Sequence, residues 1–266
     1  MKRFIVFILS ATLGIAAFAQ ELYPSQMQDE KTYPVGKFAS LSVSDNFEVT
    51  VQDGSCNVKV TADKALLPYV QVYVREGVLY IQMDTQSIPS DVKKIYKGRN
   101  APTPITRAVV TMPAVYKLLV HKNAVVSSNG PVYADSLHLS LDDKAAVRNL
   151  KLQAPYTHVS LSKNAQADFQ FNGDVLEASL AGNSRCKVSG EAGTFSFHSE
   201  RLSKLDGLQM KAARVKADMK GDSQANVLAD GILSVRLTGG SALYYAGFPT
   251  IQVDEILRST FAPYEK

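Results

Sequence analysis

The stretch LAGNSRCKV, residues 180–188, decides how the chain is read. It holds Cys186, one of only two cysteines, two residues after Ser184 and inside a run of small residues. Four readings compete for it: a nucleophile, a metal ligand, half of a disulfide, or a piece of core. The surrounding sequence favours the last.

With Leu180 as an anchor, equivalent positions recur at Val120, Leu141, Leu161, Leu180, Ser199, Met219 and Leu237, separated by 21, 20, 19, 19, 20 and 18 residues. Four residues after each anchor stands Ala124, Ala145, Ala165, Ser184, Ser203, Ser223 or Ser241, always alanine or serine. Two further on come Val126, Val147, Ala167, Cys186, Leu205, Ala225 and Leu243, all apolar. Alternation at period two precedes each anchor, and the bends between are rich in residues that tolerate positive φ, such as Asn164, Asn183, Gly182 and Gly239. A unit of about 20 residues with two strands, a tight bend and no helix predicts one coil of a β-solenoid, which cannot bury its inward face without neighbours. Seven such coils would stack to about 34 Å at roughly 4.8 Å each. A β-sandwich of hairpins would also alternate and is the alternative fold. The near-constant spacing favours an all-β, parallel β-helix-like solenoid.

Working outward, residues 116–250 carry the repeats, and residues 37–115 read as an alternating β segment that caps them. Within that segment FEVTV (47–51), NVKVT (57–61), VQVYV (70–74) and VLYIQM (78–83) alternate at period two. REG between the last two predicts a hairpin loop with Gly77 at positive φ. ADKALLPY (62–69) suggests one helical turn ended by Pro68. Residues 84–105 form a polar excursion with Lys93, Lys94, Lys97 and Arg99 around Tyr96, read as a basic contact loop or simply a solvated one. The tail 251–266 offers Ile251, Val253, Ile256 and Phe261 as a C-terminal cap. Residues 20–36 show no periodicity and read as a flexible lead-in.

Residues 1–19 have the parts of a secretory signal: Lys2 and Arg3, an apolar run from Phe4, and Ala17-Phe18-Ala19 as a cleavage site. The remaining chain is expected to be exported, to the periplasm, the outer membrane surface or the medium, with no integral membrane span. Losing Lys2 and Arg3 takes the formal charge of +4 to +2, which does not point to nucleic acid. Cys56 and Cys186 could pair in an exported chain or stay free.

The segments FEVTV, GVLYIQM and AVVTMPAVYKLLV, followed by LAGNSRCKV, MKGDSQANV and LTGGSALYY, resemble the head GIN domain family of putative auto-transporter adhesins over about residues 36–250. The family's bends are richer in glycine than HKNA, DDKA and SKNA here. The resemblance implies a β-helical protein of the cell envelope, found largely in Bacteroidetes, and brings no catalytic motif.

His138 and His158 fall in one outward column, one coil apart, with Glu177 next, so stacked side chains could offer metal ligands. His121 and His198 lie beside anchors and do not obviously join that pair. Asp142, Asp143, Lys144 and Lys163 could form the charged cluster of a polysaccharide-active enzyme, or be ordinary bend residues. No hydrolase, metalloprotease, phosphate-loop or dinucleotide motif is present. The expectation is therefore a non-enzyme with no catalytic, cofactor-binding or metal-ligating residue. It would be an adhesin-like chain presenting a face to glycans or envelope proteins. A self-assembling envelope element is the alternative, and a polysaccharide-active enzyme the third reading.

Overall fold

A computed structural model describes residues 27–265. The signal read over residues 1–19 lies outside the described residues. From Lys117 onward the chain winds as eight successive coils, each made of a strand before the corner and a strand after it. The first strands are β8 (Lys117–Val120), β11 (Ser136–Leu141), β13 (Tyr156–Leu161), the second halves of β14 (Gln166–Leu180), β15 (Arg185–Glu200) and β16 (Lys204–Lys220), then β18 (Ile232–Thr238) and β20 (Thr250–Leu257). They stack in parallel as one face, the anchor sheet. The other face stacks β9 (Val125–Ser128), β12 (Ala146–Gln153), the first halves of β14, β15 and β16, β17 (Gln224–Leu228), β19 (Ala242–Ala246) and β21 (Thr260–Pro263).

The seven anchors pair rung by rung, Val120 with Leu141, then Leu161, Leu180, Ser199, Met219 and Leu237. The solenoid reading thus holds at residue resolution. The first seven corners each turn through two consecutive residues in the left-handed region, among them Lys163 and Asn164, Gly182 and Asn183, and Arg201 and Leu202, and the last through Arg258 alone. That conformation crowds Cβ against the backbone, which is why asparagine and glycine recur there. The alanine or serine after the bend points inward and is buried in the first seven of these coils. In the front coil over residues 40–52 the same place is taken by Phe47, also fully buried. In later coils the serine also satisfies a backbone acceptor: Ser203 Oγ donates to Leu180 O (3.4 Å), Ser223 Oγ to Ser199 O (3.1 Å) and Ser241 Oγ to Met219 O (3.4 Å). Each acceptor is the anchor carbonyl of the preceding coil.

The interior is packed by alternating size along the stack. Phe197 lies in register between Ala178 and Ala217, and its ring meets that of Phe195 at 5.4 Å between centroids. Gly190 serves the opposite bend, since a Cβ there would lie 2.0 Å from Phe171 O.

The front is more interwoven than alternation alone predicts. β2 (Ser40–Val43) and β3 (Glu48–Gln52) form a coil, and β6 (Val78–Met83) and β7 (Thr106–Thr111) form another. β2 pairs with both β6 and β8, and β3 with both β7 and β9. The earlier coil in sequence is therefore sandwiched between the two that follow it. β4 (Asn57–Asp63) pairs antiparallel with β7, and β5 (Val70–Arg75) with β6, closing the front. A 3-10 turn at Leu67–Tyr69 carries Pro68 within it rather than after it. The β5–β6 hairpin turns on Glu76 and Gly77, both at positive φ.

Two stretches differ from their sequence reading. The lead-in is not irregular throughout: β1 (Gln28–Tyr33) pairs antiparallel with β4, and Lys59 Nζ meets Glu30 Oε1 at 2.8 Å. It buries no residue fully, so it carries no apolar period and is held by backbone pairing. At the back, β20 and β21 continue the parallel ladder as one more coil, with every residue of β20 exposed.

Candidate functional site

The outer surface of the anchor sheet carries two adjacent columns of polar side chains. Period-two alternation puts every second residue outward, and parallel in-register stacking turns each outward position into a row along the axis. One row runs His138, His158, Glu177, Ser196, Lys216, Ser234 and Gln252. The next runs Ser160, Ser179, His198, Asp218, Arg236 and Glu255, with Asp254 in a bulge beside the last pair. From His158 and Ser179 onward, and with Asp254 at the far end, they line a shallow groove of about 630 Å³. From His158 to Gln252 it covers six rungs, roughly 24 Å at about 4.8 Å each.

The sequence alignment places the first row correctly. His138 and His158 stack face to face, with ring centroids 5.2 Å apart and planes 5° from parallel. Burial pushes the His138 imidazole below its ordinary pKa, and the neighbouring His158 and Lys117 charges add to this. Glu177 Oε2 lies 3.7 Å from His158 Nδ1 and accepts from Tyr156 Oη at 2.6 Å. That hydrogen bond, followed by burial, raises the Tyr156 phenol. Among the described residues no group of three histidine, cysteine or carboxylate side chains is arranged to hold a metal ion.

The second row holds what sequence reasoning passed over. His198 Nδ1 stands 3.5 Å from Asp218 Oδ2 and its Nε2 3.8 Å from Glu200 Oε2, which Lys220 Nζ also meets at 3.1 Å. Lys220 in turn holds the Glu200 carboxyl below its ordinary range. From the sequence His198 stands apart from the His138 and His158 pair, beside an anchor rather than in their column. Reading the column one residue before the anchors would have found it, since Asp218 and Arg236 follow it there.

The remaining candidates fall elsewhere. Asp142 and Asp143 sit at one corner, with Lys144, and Lys163 at the next. Asp142 Oδ1 is 2.6 Å from His121 Nδ1, while Asp143, Lys144 and Lys163 are themselves left-handed corner residues. Cys56 and Cys186 are both free, and Cys186 is buried between Ala167 and Leu205 in the inward column. Burial pushes its thiol up to about 12, which removes it as a nucleophile near neutral pH. Ser184 is fully buried behind its corner. The basic excursion folds as a short helix, α1 (Ser90–Ile95), with Tyr96 Oη donating to the buried Asp63 at 3.0 Å.

Coil geometry and face together define a β-solenoid that displays ladders of polar side chains on a shallow surface. The chain belongs to the family described as putative auto-transporter adhesin, head GIN domain, whose model matches residues 37–249. Solved structures share the fold. A putative adhesin from Parabacteroides merdae is 16% identical with a TM-score of 0.76, covering 90% of this chain and 96% of that one. A putative adhesin from Parabacteroides distasonis is 17% identical at 0.77, covering 90% and 97%. A protein called a putative lipid binding protein, also from Parabacteroides distasonis, is 17% identical at 0.72 over the same shares. No curated protein matches the chain. Among the described residues no helix is long and apolar enough to cross a membrane.

Proposed function

We propose that the chain is an exported cell-envelope protein that binds extended glycans, without turning them over, along the outer face of its anchor sheet. The observation that carries this reading is the six-rung groove itself, lined by two in-register rows of hydrogen-bonding side chains. A row that repeats at a fixed short interval suits a linear polymer whose polar groups also repeat. The walls offer donors and acceptors (Ser196, Lys216, Ser234, Gln252), and Phe197 in the lining is itself buried in the core, so the groove presents no exposed aromatic anchor of the kind that dominates protein–protein interfaces. Just beyond one end of the groove the exposed Tyr156 offers a ring to a sugar, beside His138 and His158, which are stacked on each other. The reading of residues 1–19 as a secretory signal supports export, and the adhesins among the structural neighbours support a binding role.

A binding role is also favoured over catalysis by how the groove's acids are engaged. Glu177 is shared by Tyr156 and His158, and Asp218 faces His198. That leaves Asp254 at the far end as the one lining carboxylate outside such a contact, about four rungs from Glu177 and not paired with it across a single bond. The test is a glycan array probed with the wild-type chain and with a Glu177→Lys/Asp218→Lys double variant. Retention of one glycan class by the wild type, lost in the variant without product release, is expected. Equal retention by both, or none by either, would remove the groove as the site.

A further inference from the structure

We infer that the enlarged front corner between β6 and β7 is a second, separate binding site, for a single-chain amphiphile with an anionic head, of the long-chain fatty acid class. The β2–β3 coil and the coils from β8–β9 to β18–β19 turn the same corner within a few residues and seal it with one buried side chain, Phe47 in the first and alanine or serine in the rest. In the β6–β7 coil the same corner is replaced by residues 84–105, and a cavity of about 480 Å³ opens beneath them. Its size lies toward the lower end of the roughly 300–1,000 Å³ typical of small-molecule sites, which suits one acyl chain better than a multi-chain lipid.

The cavity's chemistry is divided. Its floor and walls are Leu66, Met83, Ile88 and Pro104 with Tyr96. Leu66, Met83 and Ile88 are themselves buried, so the surface they offer is already organised. Tyr96 is fixed by its hydrogen bond to Asp63, a carboxylate that also accepts from Ile105 N at 3.3 Å and is only 2% exposed. That acid is engaged below the ring and is not a cavity-lining residue. The lining carries three cations, Lys93, Lys97 and Lys122, against a single carboxylate, Asp45. Asp45 is already held by Lys122 Nζ at 3.2 Å and Met83 N at 3.3 Å. Lys97 is left to face a ligand and Lys93, although it also interacts with the Asp84 carboxylate, borders the same rim, so positive charge outweighs negative around an apolar pocket. Burial of an acyl chain there gains transfer free energy per methylene, while its carboxylate remains at the rim beside the ammonium groups.

The experiment is displacement of a dansylated undecanoic acid probe from the full-length chain by palmitate. Saturable displacement at a single site is expected. A Lys93→Glu/Lys97→Glu variant should weaken palmitate by at least about tenfold while changing hexadecanol less than about threefold. Ile88→Asp should weaken both, with circular dichroism checking its fold, and Phe248→Ser at the far end should change neither. The two rim substitutions, at the half-buried Lys93 and the exposed Lys97, keep the test decisive if Ile88→Asp does not fold. Absence of saturable displacement, equal weakening of acid and alcohol by the lysine variant, or binding to anionic phosphatidylglycerol vesicles that palmitate does not compete would each overturn the assignment.

Discussion

Phe197 offers a sharp test of whether neighbouring coils share one interior. Its ring is 3% exposed and lies between Ala178 one rung before and Ala217 one rung after. Phe197→Ala removes a buried aromatic and leaves a cavity, at a cost of about 3–5 kcal/mol. Ala178→Phe alone overfills the same layer and costs about 1–3 kcal/mol. If the two positions face one shared space, the double variant moves the ring one coil along into the room just vacated. Its loss should then fall short of the sum by about 1–3 kcal/mol, the coupling seen between residues in direct contact. Urea unfolding followed by circular dichroism gives all four corners of the cycle, with the slope checked for constancy. Strict additivity would refute the reasoning, because it would mean that the two side chains do not compete for one volume.

Other consequences are as direct. Leu202, at φ 64 and exposed, occupies a left-handed corner position, so Leu202→Asn should stabilise by about 0.5–1 kcal/mol, read as a rise in melting temperature. Gly190→Ala should destabilise by more than about 2 kcal/mol, because its Cβ would lie 2.0 Å from Phe171 O at φ 112. Cys186 keeps its proton in the folded state to a pKa of about 12 but loses it near 9 when unfolded. The unfolded chain then binds fewer protons above pH 9, and the stability this thiol contributes falls by up to about 1.4 kcal/mol per pH unit as pH rises toward 12. Cys186→Ala should flatten that fall, most cleanly between pH 9 and 10, where the tyrosines of the unfolded chain have only begun to ionise. In native conditions near pH 8, thiol labelling should reach the half-buried Cys56 well before Cys186.

The repeat was legible because stacking imposes one residue type on one column many times over. The Ala/Ser corner column shows this most plainly: a single position is weak evidence, but seven in register, from Ala124 to Ser241, admit few folds. The same logic recovers His138, His158 and Glu177 as one row. It fails where pairing is not sequential. Nothing in the period reveals that β2–β3 slots between β6–β7 and β8–β9, because long-range pairing, not spacing, decides that order. β1 escapes notice because it buries no residue fully and so leaves no apolar alternation. The cavity over Leu66, Met83 and Ile88 depends on how residues 84–105 fold back, which local composition does not encode. His198 was within reach, one column from the row already drawn.

The central claim is that an extended glycan lies along the solenoid axis across successive rungs, and its most direct test is the dependence of affinity on chain length. Oligosaccharides of increasing length from the class retained on the array would be titrated calorimetrically against the wild-type chain and the Glu177→Lys/Asp218→Lys variant. Affinity should climb with each added sugar and level off once the ligand spans the groove of roughly 24 Å, about six rungs. The variant should flatten the climb. An affinity set by the terminal sugar alone, indifferent to length and to both substitutions, would contradict the account.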